Sequence, residues 1–274
     1  MKKWYYRAAI VSIPVFLAFL SIGCKKTKTS ETKKMTEPDK WLHFVVQMST
    51  DSLDLNRNED QNTLDRWAEQ SKEILNNRIK VFGYVSSITR DPVNRNRLVV
   101  KTPYIDGKHE ENVKFLLSGR GLIEWKLVLS GPFLSKEAIL DAYGGSIPDN
   151  SQIATGPGCY LVSREAVISN EDVKDAAATT DSSGDSSISI TLNAKGGEKM
   201  LRFSSENIGK NLAVVCDGTG LLVVAGIEGK ISAKVALHGN FAPDEALIYS
   251  SILKLPALPA PVQILEEKIE EGKR

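Results

Sequence analysis

Apolar and polar residues along this chain recur in two periods, which together predict a mixed α and β fold. The clearest helix covers residues 63–82, where inward positions recur three or four residues apart and Gly83 follows the last turn. Its inward stripe is Leu64, Trp67, Ala68, Ser71, Leu75, Arg78 and Ile79. Shorter helices are predicted over residues 108–118, 135–143, 196–208 and 243–254. Strands are predicted at residues 41–49, 84–90, 96–102, 121–129, 159–163, 187–193, 211–216, 220–227, 231–237 and 262–266.

The first six elements follow the order β-α-β-β-α-β between residues 41 and 130. This order predicts a split β-α-β arrangement, in which an antiparallel sheet carries two helices on one face. Ser130, Gly131 and Pro132 interrupt the pattern, and a second α+β region follows. Loops at residues 146–158 and 179–187 divide that region, and residues 255–261 are predicted to form stiff, extended chain.

The N-terminal segment has the anatomy of a secretory signal. Lys2, Lys3 and Arg7 precede an apolar run over residues 8–23, and Cys24 follows it directly. A cysteine at this place resembles the lipidated cysteine of bacterial lipoproteins. We therefore predict that residues 1–23 are a signal peptide, that Cys24 is lipidated, and that residues 24–40 form a flexible polar tether.

An uncleaved membrane anchor is the alternative for this segment. The run is shorter than the roughly 20 residues that span a bilayer, and Pro14 interrupts it. Both interpretations place the body of the chain in the cell envelope, outside the cytoplasm and held at a membrane. A lipid anchor with two acyl chains would hold it stably, whereas a single chain binds only marginally.

The distribution of charge excludes one class of partner. Residues 1–34 carry eight Lys or Arg and one acidic residue, so the remaining 240 residues carry 27 basic and 33 acidic side chains, a net charge of −6. Nucleic-acid binding needs clustered positive charge, so we do not expect it of this body.

The residues that usually carry catalysis are not arranged for it. His43, His109 and His238 lie in different predicted elements, and no spacing of His, Cys, Asp or Glu matches a metal site. Phosphate-loop and nucleophile-elbow patterns are also missing. We predict no catalytic residues, no metal and no cofactor. Cys159 and Cys216 could form a disulfide in an oxidising compartment or stay as buried thiols.

Three stretches carry a family resemblance. Residues 68–128 contain a helix ending in Arg-Ile, a glycine-bearing turn, and two strands leading to a short helix. Residues 188–217 contain a strand, a helix opened by two glycines, and the hairpin start Asn-Ile-Gly-Lys-Asn-Leu-Ala. Residues 239–265 contain Gly-Asn-Phe, a Glu-Ala helix and the run Ala-Leu-Pro-Ala-Pro. Together they resemble the first periplasmic domain of SecD, the protein-export membrane subunit that partners SecF.

The resemblance implies an α+β fold: a split β-α-β (ferredoxin-like) base at residues 41–130 and an inserted α+β head subdomain at 131–258. Residues 259–274 then supply a return strand and a charged tail. The family continues into further transmembrane helices after this region, and residues 24–274 contain no run apolar enough to span a membrane. We therefore expect the periplasmic part of SecD without those helices.

The implied function is non-enzymatic: help with protein export, or binding of exported or unfolded polypeptide, with exported chains or Sec-type export components as partners. Two alternatives remain open. One is a structural envelope lipoprotein that uses this fold to bind another cell-envelope component, and the other is a hydrolase whose site is dispersed along the chain. The sequence does not assign the partner-binding residues.

Overall fold

The computed structural model describes residues 8–9, 38–83 and 86–272, so Cys24 and most of the predicted signal and tether lie outside the described residues. Five helices and three sheets confirm the mixed α+β class for this part of the chain. The helices are α1 (Asn58–Ile79), α2 (Gly107–Leu117), α3 (Lys136–Ala142), α4 (Ala194–Glu206) and α5 (Pro243–Lys254), and a 3₁₀ turn (Lys80–Phe82) extends α1. The strands are β1 (Ala8–Ala9), β2 (Lys40–Met48), β3 (Ser87–Arg90), β4 (Arg97–Pro103), β5 (Ile123–Phe133), β6 (Ser151–Thr155), β7 (Cys159–Ser163), β8 (Ile168–Ser169), β9 (Val173–Thr180), β10 (Ser186–Leu192), β11 (Asn211–Cys216), β12 (Gly220–Gly226), β13 (Lys234–Phe241) and β14 (Val262–Glu271).

Residues 38–118 and 259–272 form what we call the four-stranded unit. Its antiparallel sheet has the order β14-β2-β4-β3. Alternate residues of β2 and β4, among them Phe44 and its cross-strand neighbour Val100, point to one face and are buried with Leu75 of α1 and Leu117 of α2. Amphipathic helices cover this face because each must bury its apolar stripe against another element.

Residues 119–258 form the inserted unit, which contains the other two sheets. The larger sheet has the order β1-β12-β11-β5-β7-β6, with β8 beside β5 and a single bridge from β6 back to β12. The smaller sheet has the order β13-β10-β9. Trp125 of β5, Ile190 of β10, Met200 of α4 and Ile252 of α5 are buried in the main core of this unit.

The strand predicted at residues 121–129 joins a different sheet from the one expected. It forms the first part of β5, where Trp125 pairs with Val214 of β11. The fourth strand of the four-stranded unit is instead β14, which pairs with β2 from Val262 to Glu271. The boundary predicted at residue 131 therefore falls inside β5.

Four strands lie in segments for which no strand was predicted. The two-residue β1 lies in the predicted signal peptide. β6 lies inside the predicted loop at residues 146–158, and β8 and β9 lie at 168–180. β9 reads VKDAAATT, and Ala and Asp are disfavoured in strands. It forms because β10 offers a partner from Ser186 to Leu192, so pairing outweighs local preference.

Candidate polypeptide-binding surface

The second half of β5 extends past the sheet that holds its first half. β11 pairs with β5 only as far as Leu127, whereas β7 pairs with it from Val128 to Phe133. Residues 128–133 therefore have one partner strand and one edge without a strand among the described residues. Two register shifts interrupt the β5–β7 pairing, and irregularities of this kind locally disrupt the ladder and bend a strand.

Apolar side chains are exposed at the end of this ribbon. Leu134 is fully exposed, Leu129 is 47% exposed, and Pro132 is also exposed. Phe133 and Tyr160 are half-buried beside them, and burial raises the pKa of Tyr160. We call Leu129, Pro132, Phe133, Leu134 and Tyr160 the β5 tip. Single exposed apolar residues are ordinary, but a group on one strand end is typical of a contact surface.

The backbone of the ribbon is shaped by the Tyr160 ring. Gly131 has φ +132°, and a Cβ at this position would lie 2.6 Å from Tyr160 Cδ1. Only glycine tolerates both the conformation and the close approach. Pro132 offers no N–H to an added strand, so a bound chain would contact this surface mainly through side chains.

A buried ion pair supports the ribbon from inside. Lys126 is almost fully buried, and its Nζ lies 3.3 Å from Glu124 Oε2. Nζ also donates a hydrogen bond of 2.5 Å to the carbonyl oxygen of Arg164. Arg164 in turn donates to the carbonyl oxygen of Asp149 at 3.0 Å, so the loop after α3 is tied to the same point.

The chain passes from the four-stranded unit to the inserted unit at residues 118–119 and returns at residues 258–259, and we call these passages the two crossings. A buried arginine contacts the backbone at the first crossing. Arg78, in the last turn of α1, is fully buried and donates to the carbonyl oxygen of Arg120 at 2.6 Å and to that of Leu116 at 3.5 Å. Burial lowers the pKa of Arg78 to about 10, and the nearby Asp217 carboxylate opposes that shift. Gly121 is required here because a Cβ would lie 2.3 Å from the Arg78 guanidinium.

Asp217 holds the same crossing from the side of the inserted unit. It lies in the β11–β12 turn with φ 49°, and its carboxylate accepts hydrogen bonds from the backbone N–H groups of Arg120, Gly121 and Leu122 at 2.8–3.3 Å. Successive N–H groups that converge on one carboxylate form a strong, charge-assisted contact.

Asn170 joins both crossings. Its Oδ1 accepts from the N–H of Ile123 at 2.7 Å, and its Nδ2 donates to the carbonyl oxygens of Gly121, Ile252 and Leu255 at 2.9–3.1 Å. All four bonds are to the backbone, so this one amide fixes the start of β5 relative to the end of α5. We call Arg78, Asn170 and Asp217 the junction cluster.

A second contact between the units lies between α2 and α5. Asp244, in the first turn of α5, accepts from Lys108 at 2.8 Å and from Asn112 at 3.5 Å. Phe115, which is 43% exposed, packs edge-on against Tyr249 with ring centroids 5.6 Å apart. Burial raises the pKa of Tyr249 to about 12.

Of the three cysteines singled out in the sequence, the structure describes Cys159 and Cys216. Cys24 lies outside the described residues. Cys159 and Cys216 are both free thiols, and burial raises the pKa of Cys216 to about 12, which disfavours its reactive thiolate form. Among the described residues, no group of three or more His, Cys, Asp or Glu side chains is placed to hold a metal ion. No described helix is long and apolar enough to cross a membrane.

Sequence reasoning did not single out the junction cluster or the β5 tip. Arg78 did leave a signal, because it is a charged residue in the inward stripe of the first helix. Asn170 and Asp217 left none, since Asn and Asp are common in turns for local reasons.

Comparison with known proteins bears on both units. Residues 147–260 match the family SecDF, P1 head subdomain. The protein translocase subunit SecD of Aquifex aeolicus (strain VF5) is 30% identical over 203 residues, which is 73% of this chain and 39% of that protein. The chain is related to SecD.

Other SecD relatives extend the match. SecD of Escherichia coli (strain K12) is 25% identical over 220 residues, covering 73% of this chain and 34% of that protein. The chain thus spans less than two fifths of the length of these curated SecD relatives. The match to the SecDF head begins at residue 147, so it includes Tyr160 of the β5 tip and omits residues 129–134.

Solved SecDF structures share the fold. A structure of a membrane component SecDF that enhances protein export superposes with a TM-score of 0.59 at 21% identity, covering 82% of this chain and 98% of the other. SecDF in its super-membrane-facing form gives the same TM-score and identity, covering 84% of this chain and 30% of the other.

Proposed function

We propose that this chain takes part in protein export as a non-enzymatic, SecD-like component, and that its inserted unit contacts exported or unfolded polypeptide. The kinship with SecD supports the export role. The observation that carries the polypeptide contact is the β5 tip, which places exposed Leu129 and Leu134 beside a strand edge. Exposed apolar side chains grouped at a strand end suit contact with an unfolded chain of unspecified sequence.

The acidic body agrees with this choice of partner. Residues 35–274 carry a net charge of −6, which attracts basic or unfolded chains better than nucleic acid. Contact through a few exposed side chains is weak, and export requires that each bound segment be released. We therefore expect affinities in the micromolar range or weaker, about −8 kcal/mol or less favourable.

We further propose that the body is tethered to a membrane through lipidated Cys24 and lies outside the cytoplasm. Its support is the charged start, apolar run and cysteine of the first 24 residues. Ala8 and Ala9 pair with Ala225 and Gly226 of β12, and cleavage before Cys24 would remove that pairing. Cys24→Ala should leave a larger, unprocessed precursor on a denaturing gel. If the variant migrates like wild type and also fractionates with membranes like wild type, the result would argue for an uncleaved anchor.

For the domain plan, we propose that the four-stranded unit is a split β-α-β (ferredoxin-like) base and that the inserted unit is the SecD-type head. The sheet order β14-β2-β4-β3, with α1 and α2 on one face, supports this proposal. The last strand of the base then comes from residues 262–271 in place of 121–129.

Site-specific photo-crosslinking in cells tests the polypeptide contact. A photoreactive amino acid at Leu134 should crosslink to exported chains while export is active, and the adducts should disappear when synthesis of exported proteins is blocked. Val93 is the matched control, since it is 82% exposed but lies at the β3–β4 turn of the four-stranded unit. We expect at least a several-fold excess of adducts at Leu134.

Other results would replace the proposal. Equal adducts at Leu134 and Val93 would mean that the β5 tip is no special contact surface. Adducts with a cell-wall or other envelope component, in place of exported chains, would favour the structural lipoprotein.

A further inference from the structure

The outer edge of the four-stranded sheet is open beside a long groove. β3 pairs with β4 on one side, and its other edge has no strand partner among the described residues. A groove of about 690 Å³ runs between this edge and α1. The exposed groups that line it include Arg66, Gln70 and Glu73 of α1, with Ser87 of β3 on the opposite side.

This edge lacks the protection that the sheet has on its other side. β14 is the opposite edge strand, and it carries five charged residues between positions 266 and 271, which discourage pairing with a further strand. β3 reads Ser-Ile-Thr-Arg, with Ile88 buried and the small polar Ser87 and Thr89 exposed. Arg90 is already paired with Asp65 at 2.6 Å, so its charge is turned back toward α1.

The α1 side of the groove is self-complementary in charge. Arg66, Glu69, Gln70 and Glu73 follow i, i+3, i+4 and i+7 spacing and form one exposed stripe. Arg66 and Glu73 lie at its ends, about 10 Å apart along the helix, too far to pair with each other. Glu69 is paired with Lys72 at 3.0 Å, whereas Glu73 forms no ion pair within the described part of the chain.

We propose that this face binds a second copy of the same chain across a two-fold axis. In an antiparallel arrangement of the two stripes, Arg66 of each copy meets Glu73 of the other, and Gln70 lies next to the axis. A two-fold contact requires such a self-complementary patch, because residue i of one copy meets residue j of the other and the reverse. The two β3 edges then pair, and the two sheets become one eight-stranded sheet.

The same features disfavour an unfolded polypeptide in this groove. Recognition of an extended chain at a strand edge needs pockets for alternate side chains, and this groove is lined by charged, amide and serine groups, with Ile88 as its one apolar lining residue among those described. β3 has four residues, so strand pairing alone supplies few hydrogen bonds. A second copy supplies strand and helix contacts together.

Crosslinking of the full-length chain in isolated membranes tests the arrangement. Gln70→Cys should give a covalent dimer with a short bis-maleimide, at least fivefold above the parent chain, which retains the native cysteines. Arg202→Cys is the matched control, since Arg202 is also exposed on a helix but lies on α4 of the inserted unit.

A charge swap tests the pairing itself. Arg66→Glu and Glu73→Arg should each lower the Gln70→Cys crosslink about fivefold, because each places like charges together at two symmetric points. The double variant Arg66→Glu with Glu73→Arg should restore it. Restoration would exclude a simple folding effect, because both residues are exposed and too far apart within one chain to pair.

Three outcomes would overturn the proposal. The first is crosslinking at Gln70 no stronger than at Arg202. The second is a double variant that stays as weak as the single ones. The third is a crosslink from Gln70 to other polypeptides in place of a second copy, which would assign the groove to a different occupant.

Discussion

The two units of this protein are assembled from the chain in opposite ways. The inserted unit runs without interruption from residue 119 to 258, and every strand in that span has a partner within it, although the two-residue β1 also pairs with β12. The four-stranded unit is interrupted, because β14 must return from residue 262 to pair with β2 at residues 40–48. A continuous unit can form from its own residues, whereas an interrupted unit depends on how its two parts are brought together.

The junction cluster meets that requirement. Arg78 belongs to the four-stranded unit and Asn170 and Asp217 to the inserted unit, yet all their hydrogen bonds described above go to backbone at the two crossings. The crossings are adjacent, since the backbones of Gly119 and Val262 exchange hydrogen bonds at 2.9 and 3.2 Å. The inserted unit thus returns the chain next to the point where it left.

Removal of β14 should have the largest effect and separate the units most clearly. A chain ending at residue 261 should lose folding of the four-stranded unit, because the missing pairing exceeds about 5 kcal/mol, comparable to the stability of a whole domain. Hydrogen exchange should show lost protection in β2 and β4 and retained protection in β10 and β11. A chain lacking only residues 273–274 is the control, and equal loss in both units would contradict independent folding of the inserted unit.

Substitution of Arg78 should have the second-largest effect, because it destabilises the first crossing between the two units. Arg78→Ala removes the fully buried, charged donor to the carbonyl oxygen of Arg120, which then keeps only the N–H of Leu258, and we expect a loss of about 3 kcal/mol in the free energy of unfolding. Arg78→Lys keeps the charge without the planar fork and should lose less. Urea titration measures both; a midpoint unchanged in Arg78→Ala would show that the guanidinium does not hold the crossing.

Substitution of Asn170 should lower the free energy of unfolding by a smaller amount, and one of its variants should show a distinctive pH dependence. Asn170→Ala should cost about 2 kcal/mol, because four backbone groups lose one shared partner. In Asn170→Asp, three carbonyl oxygens face the new carboxyl group and favour its neutral form, so its folded pKa should be raised. That variant should therefore be more stable at pH 4 than at pH 7 relative to wild type, and a constant difference across this range would count against the bonding described.

Asp65 in the four-stranded unit should show the smallest effect. Hydrogen bonds from Arg95 and Arg90 hold the pKa of Asp65 below its usual value. A lowered folded pKa contributes stability above the ordinary pKa near 4 and loses it as the pH falls through the folded value. The side chain is 36% exposed and screened by solvent, so we expect only about 0.5 kcal/mol. Asp65→Asn should differ from wild type at pH 7, and the difference should shrink as the pH falls below about 4; a difference that does not change with pH would exclude the charge as its origin.

Much of the local structure could be read from the sequence, and the assignment of strands to sheets could not. The helix at residues 63–82 and the hairpin around Asp217 were predictable because periodicity and turn residues act locally. The strand at residues 121–129 was also predicted, but in the wrong sheet, because Trp125 and Ile123 are apolar whichever partner they meet. Residues 262–266 were predicted as a strand, and the family resemblance implied a return strand at 259–274, but the residues themselves do not indicate that this strand pairs with β2.

The candidate surfaces were also predictable only in part: their residue types could be read from the sequence, but their exposure could not. The apolar character of Leu129, Phe133 and Leu134 is visible in the sequence, but such residues are more often buried. The exposure at this strand end follows from where β11 begins: it starts at Asn211, and Leu212 pairs with Leu127, so the last part of β5 has no strand on that side among the described residues.

Composition, periodicity and short motifs are enough to predict the α+β class, most helices and strands, the acidic body and the resemblance to SecD. They do not predict that β14 pairs with β2, that Arg78, Asn170 and Asp217 meet at the crossings, or that the last part of β5 and the outer edge of β3 have no further strand partner among the described residues. Strand pairing and the burial of polar groups join residues that are far apart in the chain, and neither segment alone specifies its partner.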